Sequence, residues 1–212
     1  SYRSSAALLG IALLQNIYGS AGMAPLMILA SVPLYNVMAV TVLSLYRPGD
    51  PESSSAMMKR TLKGIATNPI ILGIVFGMAW SVLRLPMPRI LDKTVSSIGA
   101  MATPLGLIAM GATFDLHKAL GKVKPAVLAS FIKLIGFCAV FLPIAAALGF
   151  RQEKLIAILI MLGSATTVSC YVMAKNMGHE GTLTSSVVMI TTLGSGFTIT
   201  AWLYVLRSLG MV

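Results

Sequence analysis

Seven long stretches of this chain carry no charged residue, or only one, and that feature leaves few folds open. They are residues 4–19, 22–46, 65–83, 94–114, 125–150, 155–174 and 181–206. A helix that crosses the hydrocarbon core of a bilayer needs about 20 apolar residues, and inside that core every backbone polar group must be satisfied within the segment. Of the 16 basic and 6 acidic residues, Lys133 alone lies inside a stretch; the others fall in the connections. The pattern reads as an all-α polytopic membrane protein. Composition agrees: 57% of the 212 residues are hydrophobic and 10% charged, against roughly 25% charged in soluble domains. A soluble enzyme and a disordered chain are excluded. The formal charge of +10 does not imply a nucleic-acid partner, because such binding needs a basic stripe on a wet surface. Here the basic residues sit in short connections, where they set orientation in a membrane.

The only sizeable hydrophilic stretch, 47–63, RPGDPESSSAMMKRTLK, is rich in Pro and Ser and forms the natural internal boundary. It divides the chain into residues 1–46 with two apolar segments, a linker at 47–63, and residues 64–212 with five. Counting connections alternately, one side holds Arg3, Arg47, Lys59, Arg60, Lys63, Lys118, Lys122, Lys124 and Lys175, and the other Arg84, Arg89, Lys93, Arg151, Lys154 and Arg207. The positive-inside rule places the linker and the 115–124 loop in the cytoplasm and the C-terminus outside. Trp80 and Trp202 with Tyr204 then lie toward the outer ends of their segments, either in an aromatic belt or packed in the core. No signal peptide begins the chain, and its short first segment suggests a start inside a longer product. Cys138 and Cys170 both fall in apolar stretches and read as reduced small hydrophobes.

The two halves share an echo, read either as an internal repeat or as a chance similarity between small-residue membrane helices. Residues 4–19 and 164–178 are both small and partly polar, reach an Asn and a Gly, and lead into apolar runs ending at Arg47 and Arg207. In the alternating topology the two stretches enter the membrane from opposite sides. Repeats of inverted topology mark secondary transporters, whose substrate sites form where corresponding helices break near the midplane. Polar density without charge is highest at Ser4-Ser5 and along Ser164-Ala165-Thr166-Thr167-Val168-Ser169. Such residues serve either as packing glue between membrane helices or as the lining of a broken helix whose free N–H groups and positive dipole end hold a carboxylate. Lys133 has two readings as well: a side chain that snorkels to the interface, or a charge on an anion path, since charges within spans are functional by default.

Enzyme chemistry has little to work with. His117 and His179 and all six acids lie in connections, so nothing within a span activates a nucleophile. Gly194-Ser195-Gly196 is superficially similar to an intramembrane serine protease motif, but Leu193 stands where the first glycine belongs. His179 beside Glu180 reads as a solvated turn. Neither a metal-ligand cluster nor a glycine-rich phosphate loop is present in the sequence, and no cofactor is expected; coupling to H+ or Na+ stays open.

Several motifs in order resemble the auxin efflux carrier family, which includes bacterial malonate and malate carriers. Asn68-Pro69-Ile70-Ile71-Leu72-Gly73 with Gly77 is similar to its sixth helix, and Pro104-Leu105-Gly106-Leu107-Ile108-Ala109-Met110-Gly111-Ala112 to its seventh. Lys133-Leu134-Ile135 resembles the basic start of the eighth, Tyr171-Val172-Met173-Ala174 part of the ninth, and Thr191-Thr192-Leu193 with Trp202-Leu203 the tenth. The resemblance covers essentially the whole chain. It implies about ten helices in two inverted repeats, seven of them here, with a cytoplasmic linker, a homodimer and an elevator motion. Family members break helices four and nine at a proline followed by a polar residue. By position those pairs fall on Ser4-Ser5 and Ala165-Thr166, and both prolines are missing. The expected function is secondary transport of a small organic anion, a mono- or dicarboxylate, by a multi-pass protein of the inner (plasma) membrane. Ser4, Ser5, Ala165, Thr166, Thr167 and Ser169 are the expected substrate site and Lys133 its anion path. A sodium-coupled bile-acid-type symporter and a non-transporting helical subunit are the alternatives.

Overall fold

The computed structural model describes residues 4, 13–19, 23–45, 59, 62–84 and 86–212. Ser5 and most of the 47–63 linker lie outside the described residues. Helices α1 (Ala24–Leu45), α2 (Pro69–Val82), α3 (Arg89–Ala112), α4 (Leu116–Gly121) and α5 (Val123–Phe131) are followed by a π-helical turn at Ile132–Gly136. After it come α6 (Phe137–Ala147), α7 (Gln152–Gly163), α8 (Val168–Asn176) and α9 (Thr182–Ser208). Residues 13–18 and 62–66 are also helical. Among the described residues the only β-type pairing is an isolated antiparallel bridge between Ser4 and Thr166.

Among the described residues, four apolar helices are long enough to cross a membrane: Pro25–Leu43, Arg89–Ala112, Val123–Ala147 and Thr182–Ser208. The 65–83 and 155–174 stretches are shorter or interrupted, for local reasons. The 65–83 stretch is punctuated at Asn68-Pro69: Pro69 takes the first helical position, where its missing N–H costs nothing, and the Asn68 side chain accepts from Ile71 N at 3.4 Å. The 155–174 stretch is two helices rather than one span. α7 stops at Gly163, Ser164 (ψ 157°) and Thr167 (ψ 146°) are extended, and α8 begins at Val168. α9 starts after Gly181, whose φ of +76° suits glycine and where a Cβ would meet the Tyr171 ring at 2.9 Å.

Contacts between helix ends sort them onto two faces. On one, Met23 N donates to Glu153 Oε1 at 2.5 Å and Gln152 N to Met211 O at 2.9 Å. On the other, His179 Nε2 meets Leu43 O at 3.0 Å and Lys122 pairs with Glu180 at 2.6 Å. The starts of α1 and α7 thus share a face with the C-terminus, while the ends of α1 and α8 share the opposite face with the α4–α5 connection, as the alternation of connections requires. His179 is half-buried and tied to α1, which corrects its reading as a solvated turn. Trp202 packs with Leu203 against the cluster of Cys138, Leu142, Leu155, Leu159 and Leu206, whereas Tyr204 is exposed.

The core is small and internal, and the outer helix faces are apolar: Phe76, Val82, Ile90 and Phe197 are more than two-thirds exposed or close to it. A water-soluble fold would not present such a surface, whereas a bilayer solvates it. Leu14 packs on Ile156, Ala157 and Ile160 of α7, and Ala39 and Val40 of α1 pack on Met173 of α8. From the Ser4–Thr166 bridge, the 13–18 helix therefore lies alongside α7 while α8 runs toward the opposite face.

Candidate functional site

The bridge brings together two stretches separated by more than 150 residues, and the groups around it are polar and buried. Ser4 is 8% exposed, Thr166 2%, Ser164 0% and Thr191 0%. The Ser4 hydroxyl donates to Met161 O at 2.6 Å. That carbonyl lies in the last turn of α7, where carbonyls have no partner in the helix itself. Ala165 is buried beside Thr166. The Thr167 oxygen accepts from Ser169 N at 3.1 Å and so caps α8, satisfying one of the four orphan donors of a helix start. The first turn of α8 presents the positive end of its dipole at the break.

Lys133 completes the constellation. It is 3% exposed, lies in the π turn, and its ammonium donates to the Ser4 hydroxyl. The π turn is closed by Phe137 N to Ile132 O. Such single turns re-aim side chains and recur at functional sites; this one directs Lys133 and Leu134 inward. The side chain therefore does not snorkel. Every acid of the sequence belongs to a connection, so the ammonium has a hydroxyl for its partner where a buried cation ordinarily takes a carboxylate.

Two further hydroxyls at the break, Ser164 Oγ and Thr166 Oγ1, are buried and have no hydrogen-bond partner. A buried polar atom left in that state costs about 1–3 kcal/mol. Together with the uncompensated ammonium they leave the crossing with unmet polar capacity, of the kind an anionic ligand with its own oxygens fills. Apolar cavities occur elsewhere, about 360 Å³ between α1 and α2 (Ile28, Val32, Gly73, Gly77) and about 260 Å³ beside Thr198, Ala201 and Trp202.

Of the sequence-predicted site residues, the structure brings together Ser4, Ala165, Thr166, Thr167, Ser169 and Lys133; Ser5 lies outside the described residues. Sequence reasoning placed Ser164 within the polar cluster without giving it a role, and it missed the part taken by Thr191, which accepts from Thr166 N at 3.0 Å. Nothing in the spacing of Thr191 signals a contact with a residue 25 positions earlier. The Ser195 hydroxyl simply donates to Thr192 O at 3.2 Å within α9. No group of His, Cys, Asp or Glu able to hold a metal ion occurs among the described residues.

An apolar helical bundle in which Lys133 is the one buried charge among the described residues, set against an interrupted helix, has the character of an integral membrane protein. The chain belongs to the membrane transport protein family, whose model matches residues 2–203 and which is the auxin efflux carrier family that its motifs resemble. A relative from Rhizobium meliloti (strain 1021), named "Putative malonate transporter", is 27% identical over 168 residues, 76% of this chain and 50% of that protein. The chain thus spans about half the length of the curated relative it matches. No solved structure matches it significantly.

Proposed function

We propose that this chain forms the anion-binding half of a secondary carrier for small mono- or dicarboxylates in the cytoplasmic membrane. The observation that carries this reading is the ammonium of Lys133, the one buried charge among the described residues, held on Ser4 at the Ser4–Thr166 bridge and accompanied by two unpartnered hydroxyls. A carboxylate arriving there replaces Ser4 as the partner of Lys133, accepts from the hydroxyls of Ser164 and Thr166, and sits at the positive end of α8. The same ammonium repels a cation, which disfavours a sodium site at the crossing and with it the bile-acid-type reading. The relative's name makes malonate the first substrate to try. Alternation between the two faces follows an elevator motion of a homodimer, with H+ or Na+ as the coupling ion.

Uptake of radiolabelled malonate by the full-length protein in proteoliposomes, under imposed pH or Na+ gradients, tests the proposal. Saturable uptake that other small carboxylates inhibit is the expected result. Absence of both carboxylate uptake and carboxylate-dependent thermal stabilisation defeats it, and leaves a non-transporting helical subunit as the reading.

A further inference from the structure

The break between α7 and α8 has no proline at residues 164–167, so something else must stop it from winding. In a low-dielectric interior each backbone N–H needs a partner, and the cheapest partner is the carbonyl four residues back. For the Thr166 amide that carbonyl belongs to Leu162. The amide donates to Thr191 Oγ1 instead, at 3.0 Å. Thr191 can accept because its own hydrogen is already committed: the hydroxyl donates to Val187 O at 2.7 Å, which fixes the oxygen's remaining lone pairs in direction. Thr192 and Thr198 make the same bond back to a carbonyl of α9, at 2.7 and 3.1 Å, as membrane Ser and Thr commonly do. Thr191 adds to it the acceptance of an amide from another element.

We infer that Thr191 is a positioning residue whose hydroxyl, by taking the Thr166 amide out of helical competition, keeps residues 164–167 unwound and the Ser4–Thr166 bridge formed. Its consequence for transport rests on the anion-site reading above. Valine is nearly isosteric with threonine and lacks the oxygen, so in Thr191→Val the orphaned amide regains a partner by winding back onto Leu162. Winding draws Thr166 away from Ser4 and turns the Ser164 and Thr166 hydroxyls off the crossing. The backbone around the break also specifies the remedy. Proline has no N–H and its ring clashes with the carbonyl four residues back, so proline at 165 opposes winding onto Met161. It requires an extended residue before it, and Ser164 has φ −72° and ψ 157°.

The test uses the full-length protein with Cys138 and Cys170 replaced by alanine and Ser4→Cys and Thr166→Cys introduced, because residues paired across a bridge are close enough to form a disulfide. Oxidative cross-linking is compared in the parent, Thr191→Val, Thr191→Ser and Thr191→Val with Ala165→Pro. The inference expects efficient cross-linking in the parent, a fall of about tenfold with valine, retention with serine, and recovery with the added proline. Unchanged cross-linking in Thr191→Val overturns it, as does a loss that Ala165→Pro does not repair. Should the valine variant not reach the membrane, Thr191→Ala in a protein carrying a spin-label pair at 4 and 166 takes its place; an unaltered inter-label distance there is equally fatal. In the native-cysteine background the KM for malonate should rise about tenfold in Thr191→Val with Vmax little changed, and Ala165→Pro should restore it. Cross-linking that responds while KM does not leaves Thr191 in its role and removes the anion site from the crossing.

Discussion

Replacement of Lys133 by glutamine separates a site charge from a structural one, because the two roles predict changes of opposite sign. Gln is one atom shorter, keeps an N–H donor and removes the charge. A lysine within a span costs about 2.5–3.5 kcal/mol on insertion scales, and the Lys133 ammonium, 3% exposed on a neutral hydroxyl, has no carboxylate to offset that cost. The substrate-free variant should therefore be at least as stable as the parent. Binding should move the other way. A carboxylate about 4 Å from the ammonium gains about 1 kcal/mol if the site is fully wet and about 4 kcal/mol at an effective dielectric of 20, so its loss weakens binding from about fivefold to about a thousandfold. Thermal unfolding of the purified full-length protein with and without malonate measures both. At 100 Kd the ligand contributes about 2.7 kcal/mol; a variant with about a hundredfold weaker affinity retains only about 0.4 kcal/mol at the same concentration. A Lys133→Gln protein that is less stable without ligand, yet fully stabilised by malonate, would refute the reasoning and make Lys133 a structural residue.

At Thr166, leucine should obstruct the crossing and abolish most of the malonate-dependent stabilisation, about 2.7 kcal/mol at 100 Kd, while leaving the fold intact; a folded Thr166→Leu protein that is still fully stabilised removes this residue from the site. A single cysteine in the 47–63 linker should react only with cytoplasmic reagent and one after Arg207 only from outside, and reversed labelling overturns the orientation. Gly181→Ala places a Cβ at φ +76° and 2.9 Å from the Tyr171 ring, which should lower the melting free energy by about 1–2 kcal/mol, as read from thermal unfolding. Glu180→Gln breaks a pair whose side chains are 44% and 65% exposed, and a change in stability greater than about 1 kcal/mol would contradict its surface character.

The helical, membrane-embedded character of this protein was legible without any structure, because charge exclusion from long stretches is a property of the chain itself and the bilayer leaves it few alternatives. The same holds for the family, carried by motifs such as Asn68-Pro69 and Pro104-Leu105-Gly106, and for the polar clusters at Ser4 and at 164–169. The resemblance even paired Ser4-Ser5 with Ala165-Thr166 by position, and the bridge falls on Ser4 and Thr166. Run length was less informative: 155–174 is apolar enough for one span, yet one helix ends at Gly163 and the next begins at Val168.

What tertiary structure alone decided is where the buried polar groups find partners. Sequence left Lys133 with an outward and an inward reading of equal merit, since position along a helix does not specify its rotation. The π turn settled that by adding a residue to one turn and carrying the side chain to Ser4. The polar cluster and the resemblance pointed to a break at 164–167, but not to the group that takes the Thr166 amide there in the absence of proline, which is the Thr191 hydroxyl on α9. Hydrophobic patterning determines which segments enter the membrane, a matter of summed transfer free energy over about 20 residues. A hydrogen bond across helices depends on a few tenths of an ångström between residues far apart in the chain, and no local pattern encodes it.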